Sequence, residues 1–194
     1  LPLPNSKSAV NWLGLPNDGH SSLAAKISKI EKIKSCPIGV SVSSDPSETG
    51  FTALKSLLEG MNDLSKAGVD FIELNESCPN VSNHISTTNE LDKSMLERLE
   101  YIKENFLHKR NKNLPIIVKY SVDTDINLLL KLLPILIDLG FDGINLGNTS
   151  TNYSYYITKL NSREKKIFEY FTSNFGGGVS GNLIKEKSLN LCKE

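Results

Sequence analysis

The chain has 194 residues, enough for one good core or part of a larger one. Its 22 basic and 22 acidic residues cancel, which removes any electrostatic case for nucleic acid or an anionic membrane as partner. No apolar run reaches the roughly 18 residues needed to cross a bilayer, and the first residues, LPLPNSKSAV, have the pattern of neither a signal peptide nor a transit peptide. Cys36, Cys78 and Cys192 lie far apart, as do His20, His84 and His108. No pair has metal-ligand spacing, and the odd cysteine count argues against a disulfide framework. A reducing, cytoplasmic setting fits best.

In chain order, "CPIGVSVSS" reads as a first strand starting near 37. "FTALKSLLEGMNDLSKA" has apolar residues at helical spacing, with Gly68 as its C-cap. "VDFIEL" is a second strand, from about 69, and it runs into Asn75, Ser77, Cys78, Pro79 and Asn80. After the polar stretch "NVSNHISTTNE", Leu91, Met95, Leu99 and Ile102 mark a helical face. "LPIIVKYS" is a third strand, from 115. "DTDINLLLKLLPILIDLG" is a helix capped by Asp123, Thr124 or Asp125 and closed by Gly140, with Pro134 expected to kink it or shift its start. "FDGINLG" is a fourth strand, from 141. Residues 150–175 read as a long loop with a short helix at 163–171 and one uncertain strand near "TSNFGGG". "NLIKEKSLNLCKE" then opens a helix.

Strands alternating with helices predict right-handed β-α-β units and a parallel sheet. All four strands turn polar at their carboxyl ends, where parallel α/β folds bind ligands. Ser41 and Ser43, Asn75 with Ser77 and Cys78, Lys119 with Ser121, and Asn145 with Asn148 and Thr149 would form one polar cup on an apolar floor. Each has a plainer reading. The asparagines are ordinary turn formers. A lone cysteine is usually a small core filler. Lys119 is a solvated charge unless an anion stands beside it. "FGGGVSG" is either a flexible loop or a phosphate nest with a helix N-terminus behind it.

At "NESCPN" the chain resembles the dihydroorotate dehydrogenase family, whose signature is an NxSCPN or NxSSPN stretch. "NWLGLPNDG" at 11 to 19 resembles its substrate loop, "PIIVKYS" its PxxVK strand, and "NTS" and "FGGGVSG" its NTT and GGLSG stretches. The resemblance spans essentially the whole chain. It implies a parallel β/α (TIM-type) barrel, here a single partial-barrel domain over 1–194, an internal portion of a longer enzyme lacking both ends. It also implies an FMN-dependent flavoprotein oxidoreductase that oxidises dihydroorotate to orotate in pyrimidine biosynthesis.

By that resemblance Cys78 is the catalytic base, as in the soluble class 1 enzymes. Asn11, Leu13, Gly14, Leu15, Asn75, Asn80, Asn148 and Thr149 line the orotate pocket. Asn75, Lys119 and Gly147 meet the flavin, Lys119 favouring its anionic reduced form, and Ser180 and Gly181 hold the phosphate. Soluble members are often dimers, which makes a homodimer one candidate assembly and leaves the oligomeric state open. Two features depart from the family: Glu76 stands at a usually apolar position of the signature, and YSVDTD follows where PPD or APD is common. Two alternatives stay open: a flavin oxidoreductase acting on another dihydropyrimidine, and a non-catalytic ligand-binding relative.

Overall fold

A computed structural model describes residues 1–33, 35–76, 91–110 and 113–193. Its centre is a four-stranded parallel sheet in the order β3-β4-β5-β6, formed by β3 (Gly39–Val42), β4 (Phe71–Asn75), β5 (Ile116–Ser121) and β6 (Gly143–Asn148). These are the four strands expected from the sequence. A closed barrel of this class needs eight, so the parallel sheet of the described residues is half a barrel.

Alternation along each strand sorts the two faces. Val40, Val42, Ile72, Leu74, Ile116, Val118 and Leu146 are buried under the helices. Fully covering such side chains contributes about 1.5–3 kcal/mol each. The covering helices follow the sequence pattern. α2 (Gly50–Ala67) buries Ala53, Leu57, Met61 and Leu64, and Gly68 ends it in the left-handed region (φ 83°). α3 (Lys93–Ile102) is capped by Asp92, which accepts from the Ser94 amide, and runs on into a π-helical turn, Lys103–Leu107. α4 (Ile126–Leu139) is capped by Asp125 and ended by Gly140. α1 (His20–Ile27) packs on α2 where Gly60 lies against the His20 ring.

Three expectations change. α4 starts at Ile126 and runs through Pro134, so the proline does not shift its start. Pro134 and Leu130, whose carbonyl loses its helical partner, both lie on the exposed side, where water can take that carbonyl. Residues 150–175 are mainly helical: α5 (Tyr153–Ile157) and α6 (Ser162–Phe175) are capped by Asn152 and Asn161. The uncertain strand near 175 is β7 (Gly178–Gly181), and it does not extend the parallel sheet. It pairs antiparallel with β2 (Ser8–Asn11), which pairs with β1 (Pro2–Leu3). α7 (Asn182–Leu191) follows at once. This small sheet has its own core of Leu3, Val10, Val179, Tyr156, Phe168 and Ile184, joined by Val122 from just beyond β5.

Candidate functional site

The sheet face turned away from the helices carries a layered set of side chains. At the amino ends of the strands the Phe71 ring covers Gly39, and Ile117 lies over Gly143; a Cβ on Gly39 would come within 2.4 Å of the Phe71 ring. This large-small alternation is an apolar floor.

One step up the strands the face becomes polar. Ser41, Glu73, Lys119 and Asn145, one from each strand, close around a single carboxylate. Glu73 Oε1 accepts from Ser41 Oγ (2.7 Å) and pairs with Lys119 Nζ (2.6 Å), while Oε2 accepts from Asn145 Nδ2 (2.6 Å). Lys119 Nζ also lies 3.3 Å from Ser41 Oγ. The Lys119 and Glu73 side chains are only 17% and 12% exposed. Burial opposes the charged form of Glu73, but the hydrogen bonds from Lys119, Ser41 and Asn145 and the Lys119 charge hold its carboxyl below the usual range. Lys119 is therefore not a solvated strand-end charge, and its anion is Glu73.

At the carboxyl ends sit Asn75, Ser121 and Asn148. Asn148 Nδ2 donates to Asn75 Oδ1 (3.2 Å), and Asn75 lies opposite Lys119 in the ladder. A bulge makes this possible. Between Lys119 and Ser121 β5 advances two residues, while its partner advances three, from Asn145 to Asn148. The extra residue returns Asn148 to the same face as Asn145. Gly147 is the small residue at that bulge; a Cβ on it would stand 2.9 Å from Asn145 Oδ1.

The remaining candidates reach the cup through a chain of contacts. Thr149 donates its amide to Asn148 Oδ1 (2.8 Å), and its carbonyl accepts from Ser121 Oγ (3.1 Å). Gly178 fits against Thr149, and Gly177 against the Asn11 carbonyl, in each case where a Cβ would clash. Asn11 ends β2, and its side chain accepts from the Leu13 amide (3.2 Å). Leu13 and Gly14 are exposed and Leu15 half-buried in the turn that follows, where Leu15 takes a left-handed φ of 54°. Asn17 braces that turn by donating to the Leu15 carbonyl and accepting from the Gly19 amide. Trp12, beside it, is 55% exposed and lies against the Phe175 ring.

The glycine cluster differs from an open anion nest. Gly178–Gly181 is a paired strand, and the first amides of α7 are engaged within the chain: Asn182 donates to the Lys7 carbonyl and Leu183 to Ser8 Oγ. Ser180 Oγ donates to the Ala9 carbonyl (3.3 Å). Cys78 and Asn80 lie outside the described residues.

Glu76, the departure within the signature, faces the helices. Its side chain is 2% exposed and forms a two-bond ion pair with Arg98 of α3 (Nε–Oε1 2.7 Å, Nη2–Oε2 2.5 Å). Burial works against the Arg98 charge, yet the Glu76 carboxylate keeps its pKa above the ordinary value. The Tyr120 hydroxyl, buried beside this pair, is pushed up as well, by burial first and by Glu76 second. A carboxylate held in this way is directed away from the cup.

Sequence reasoning missed Glu73 and Asn145 as a bonded pair. The available signal was the two-residue spacing of Glu73 and Asn75 inside an otherwise apolar strand, which puts both on one face. Among the described residues no helix is long and apolar enough to cross a membrane.

A family model described as dihydroorotate dehydrogenase matches residues 3–194. The dihydroorotate dehydrogenase (quinone) of a Nitratiruptor species is 30% identical over 187 residues, covering 94% of this chain and 45% of the relative. Those of Dichelobacter nodosus and Trichodesmium erythraeum are 25% and 27% identical, and 53% and 48% of their lengths are covered. The chain thus spans about half the length of the curated relatives it matches. Among solved structures, ligand-free DHODH from Eimeria tenella superposes with a TM-score of 0.75 at 16% identity, covering 98% of this chain and 55% of that one, a likeness of fold.

Proposed function

The chain belongs to the dihydroorotate dehydrogenase family, and from that premise we propose that the protein is an FMN-dependent oxidoreductase converting dihydroorotate to orotate in pyrimidine biosynthesis. The observation that carries this reading is the cup itself: Asn75, Lys119, Asn145 and Asn148 converge on one face at the carboxyl ends of three adjacent parallel strands. In this reading residues 1–194 make one partial-barrel domain, and its setting is the cytoplasm. The relatives carry quinone in their names, so a quinone is the electron acceptor to test first, ahead of the fumarate or nicotinamide-linked partner subunit that a resemblance to the soluble class 1 enzymes implies; Cys78 by itself does not choose among them. Sedimentation velocity decides between a monomer and the candidate homodimer.

The residues suit a flat heteroaromatic ring. Side-chain amides offer a donor and an acceptor each and can pair with ring edges without adding charge. Gly147 has no side chain to crowd Asn145, so that amide keeps its place on the cup face. Asn75, Lys119 and Gly147 would hold the flavin ring. The phosphate contact is assigned to Ser180 and Gly181; both lie in the strand paired with β2, so the Ser180 hydroxyl would exchange the Ala9 carbonyl for the phosphate. When bound, the flavin supplies the two-electron acceptor that no side chain can provide.

The chain's own part is to orient the substrate and move one proton. Asn11, Asn75, Asn80, Asn148 and Thr149 pair with the amide edges and carboxylate of the substrate, while Leu13, Gly14 and Leu15 close over it. Cys78 as thiolate removes the ring proton next to the carbon that loses the hydride, leaving the ring double bond of orotate. The test is anaerobic mixing of the purified, flavin-loaded protein with dihydroorotate while flavin absorbance is followed. Cys78→Ala should keep FMN and slow bleaching by at least ~100-fold, as loss of a general base does. Bleaching at the wild-type rate across pH would remove Cys78 from its role. Bleaching by dihydrouracil in preference to dihydroorotate would replace the substrate.

A further inference from the structure

Glu73 is among the least exposed carboxylates of the described residues, and it lies on the ligand face of the sheet rather than among the helices. Both of its oxygens are committed. Ser41 from β3, Lys119 from β5 and Asn145 from β6 all bond to it across β4, so four adjacent strands meet at one carboxylate. Among the strand residues that these registers place on this face, Glu73 and Lys119 are the charged ones, and they are of opposite sign.

We propose that Glu73 is the positioning residue of Lys119: its carboxylate fixes the ammonium at the floor of the ring site and balances its charge, so that the cup meets its ligand electrically neutral. This rests on the reading of Lys119 as the residue beside the flavin. A lysine on a four-carbon stem does not choose one position by itself. Bonds from Nζ to Glu73 Oε1 and Ser41 Oγ set its direction. The physical consequence is a change in the field at the ring. An ammonium alone acts on a ring as a single positive charge; the same ammonium with a carboxylate 2.6 Å away acts as a dipole, which falls off faster with distance. Glu73 therefore limits how strongly Lys119 can favour a reduced, negatively charged ring.

The proposal is tested on the purified protein loaded with FMN, by dye-equilibration measurement of the flavin midpoint potential in wild type, Glu73→Gln, Glu73→Asp, Lys119→Met and the Glu73→Gln/Lys119→Met double variant. Glu73→Gln should raise the potential, because the Lys119 charge is no longer balanced. Lys119→Met should lower it, because a carboxylate is left facing the ring. The double variant should return close to wild type, and Glu73→Asp, which keeps the charge, should stay closer to wild type than Glu73→Gln. A potential that moves in Lys119→Met but not in Glu73→Gln overturns the role of Glu73 and leaves that of Lys119 standing. No movement in Lys119→Met removes Lys119 from the ring and this proposal with it. If Glu73→Gln does not retain flavin, thermal unfolding of the flavin-free protein decides. Lys119→Met should melt below the double variant at pH 7, since only the single variant buries an unbalanced carboxylate. The reverse order overturns the pairing.

Discussion

Replacing Arg98 with Met should be among the most destabilising single changes in the chain. The Glu76 carboxylate is 2% exposed and receives two hydrogen bonds from the guanidinium, at 2.7 and 2.5 Å, with Arg98 itself only 12% exposed. Water cannot replace those donors without opening the β4–α3 contact. Removing one partner of such a pair leaves a buried charge uncompensated and costs about 3–5 kcal/mol. With a urea m-value of about 2 kcal/mol/M, the unfolding midpoint should fall by roughly 1.5–2.5 M. The double variant Glu76→Leu/Arg98→Met should regain most of that loss, because an apolar pair of similar volume needs no desolvation of charge. Urea unfolding followed by far-UV circular dichroism measures all three proteins. A shift below about 0.3 M in Arg98→Met, with an unchanged slope, would mean the pair is effectively solvated and the burial argument is wrong.

Two further predictions concern the small sheet. Glu164 on α6 accepts from Ser6 Oγ and from the Asn5 and Ser6 amides; the Ser6 hydroxyl first, opposed by burial, holds its carboxyl below the usual range. A depressed carboxyl adds stability that is complete above its unfolded pKa of about 4.3 and is lost as pH falls through the folded value. Ser6→Ala should therefore cost most stability at neutral pH, and the loss should shrink as pH falls through the carboxyl range; a loss that stays the same size at acid pH, measured by urea unfolding across pH, would refute the assignment. Gly178→Ala puts a Cβ 2.1 Å from Thr149 Oγ1, and the neighbour is a short β-branched side chain with little room to turn. It should cost about 1–3 kcal/mol and weaken orotate binding, measured by thermal unfolding and by orotate titration of the flavin-loaded protein.

The parts of the fold legible in the sequence are those written in local terms. Strands β3 to β6 have short apolar runs, α2 and α4 have apolar stripes, and Asp125, Gly68 and Gly140 cap where such residues usually cap. The cup was legible because each strand turns polar at the same end. Glu73 was not, because a carboxylate inside an apolar strand declares nothing until its partners on three other strands are known. β1 and β2 were missed for a similar reason: PL and SAVN are too short to carry a period, and they become strands only by pairing with each other and with β7. α6 was cut short because Tyr, Ser and charge hide the stripe of Glu164, Phe168 and Phe171, which faces a core that the sequence does not reveal.

The pairing of β2 with β7 also sets an order of events. Ser180 Oγ bonds the Ala9 carbonyl across 171 positions of chain, whereas β3 to β6 join neighbours in sequence. Contacts of long sequence separation form late, after the local units have shortened the path between them. The half-barrel can therefore assemble while Asn11 and its turn are still untethered, and the rim of the cup is the last part to arrive. Pulsed hydrogen exchange during refolding would show this as later protection of Val10 and Val179 than of Ile72 and Val118. The proposed substrate loop is then the piece of the molecule whose order depends most on the whole chain being in place.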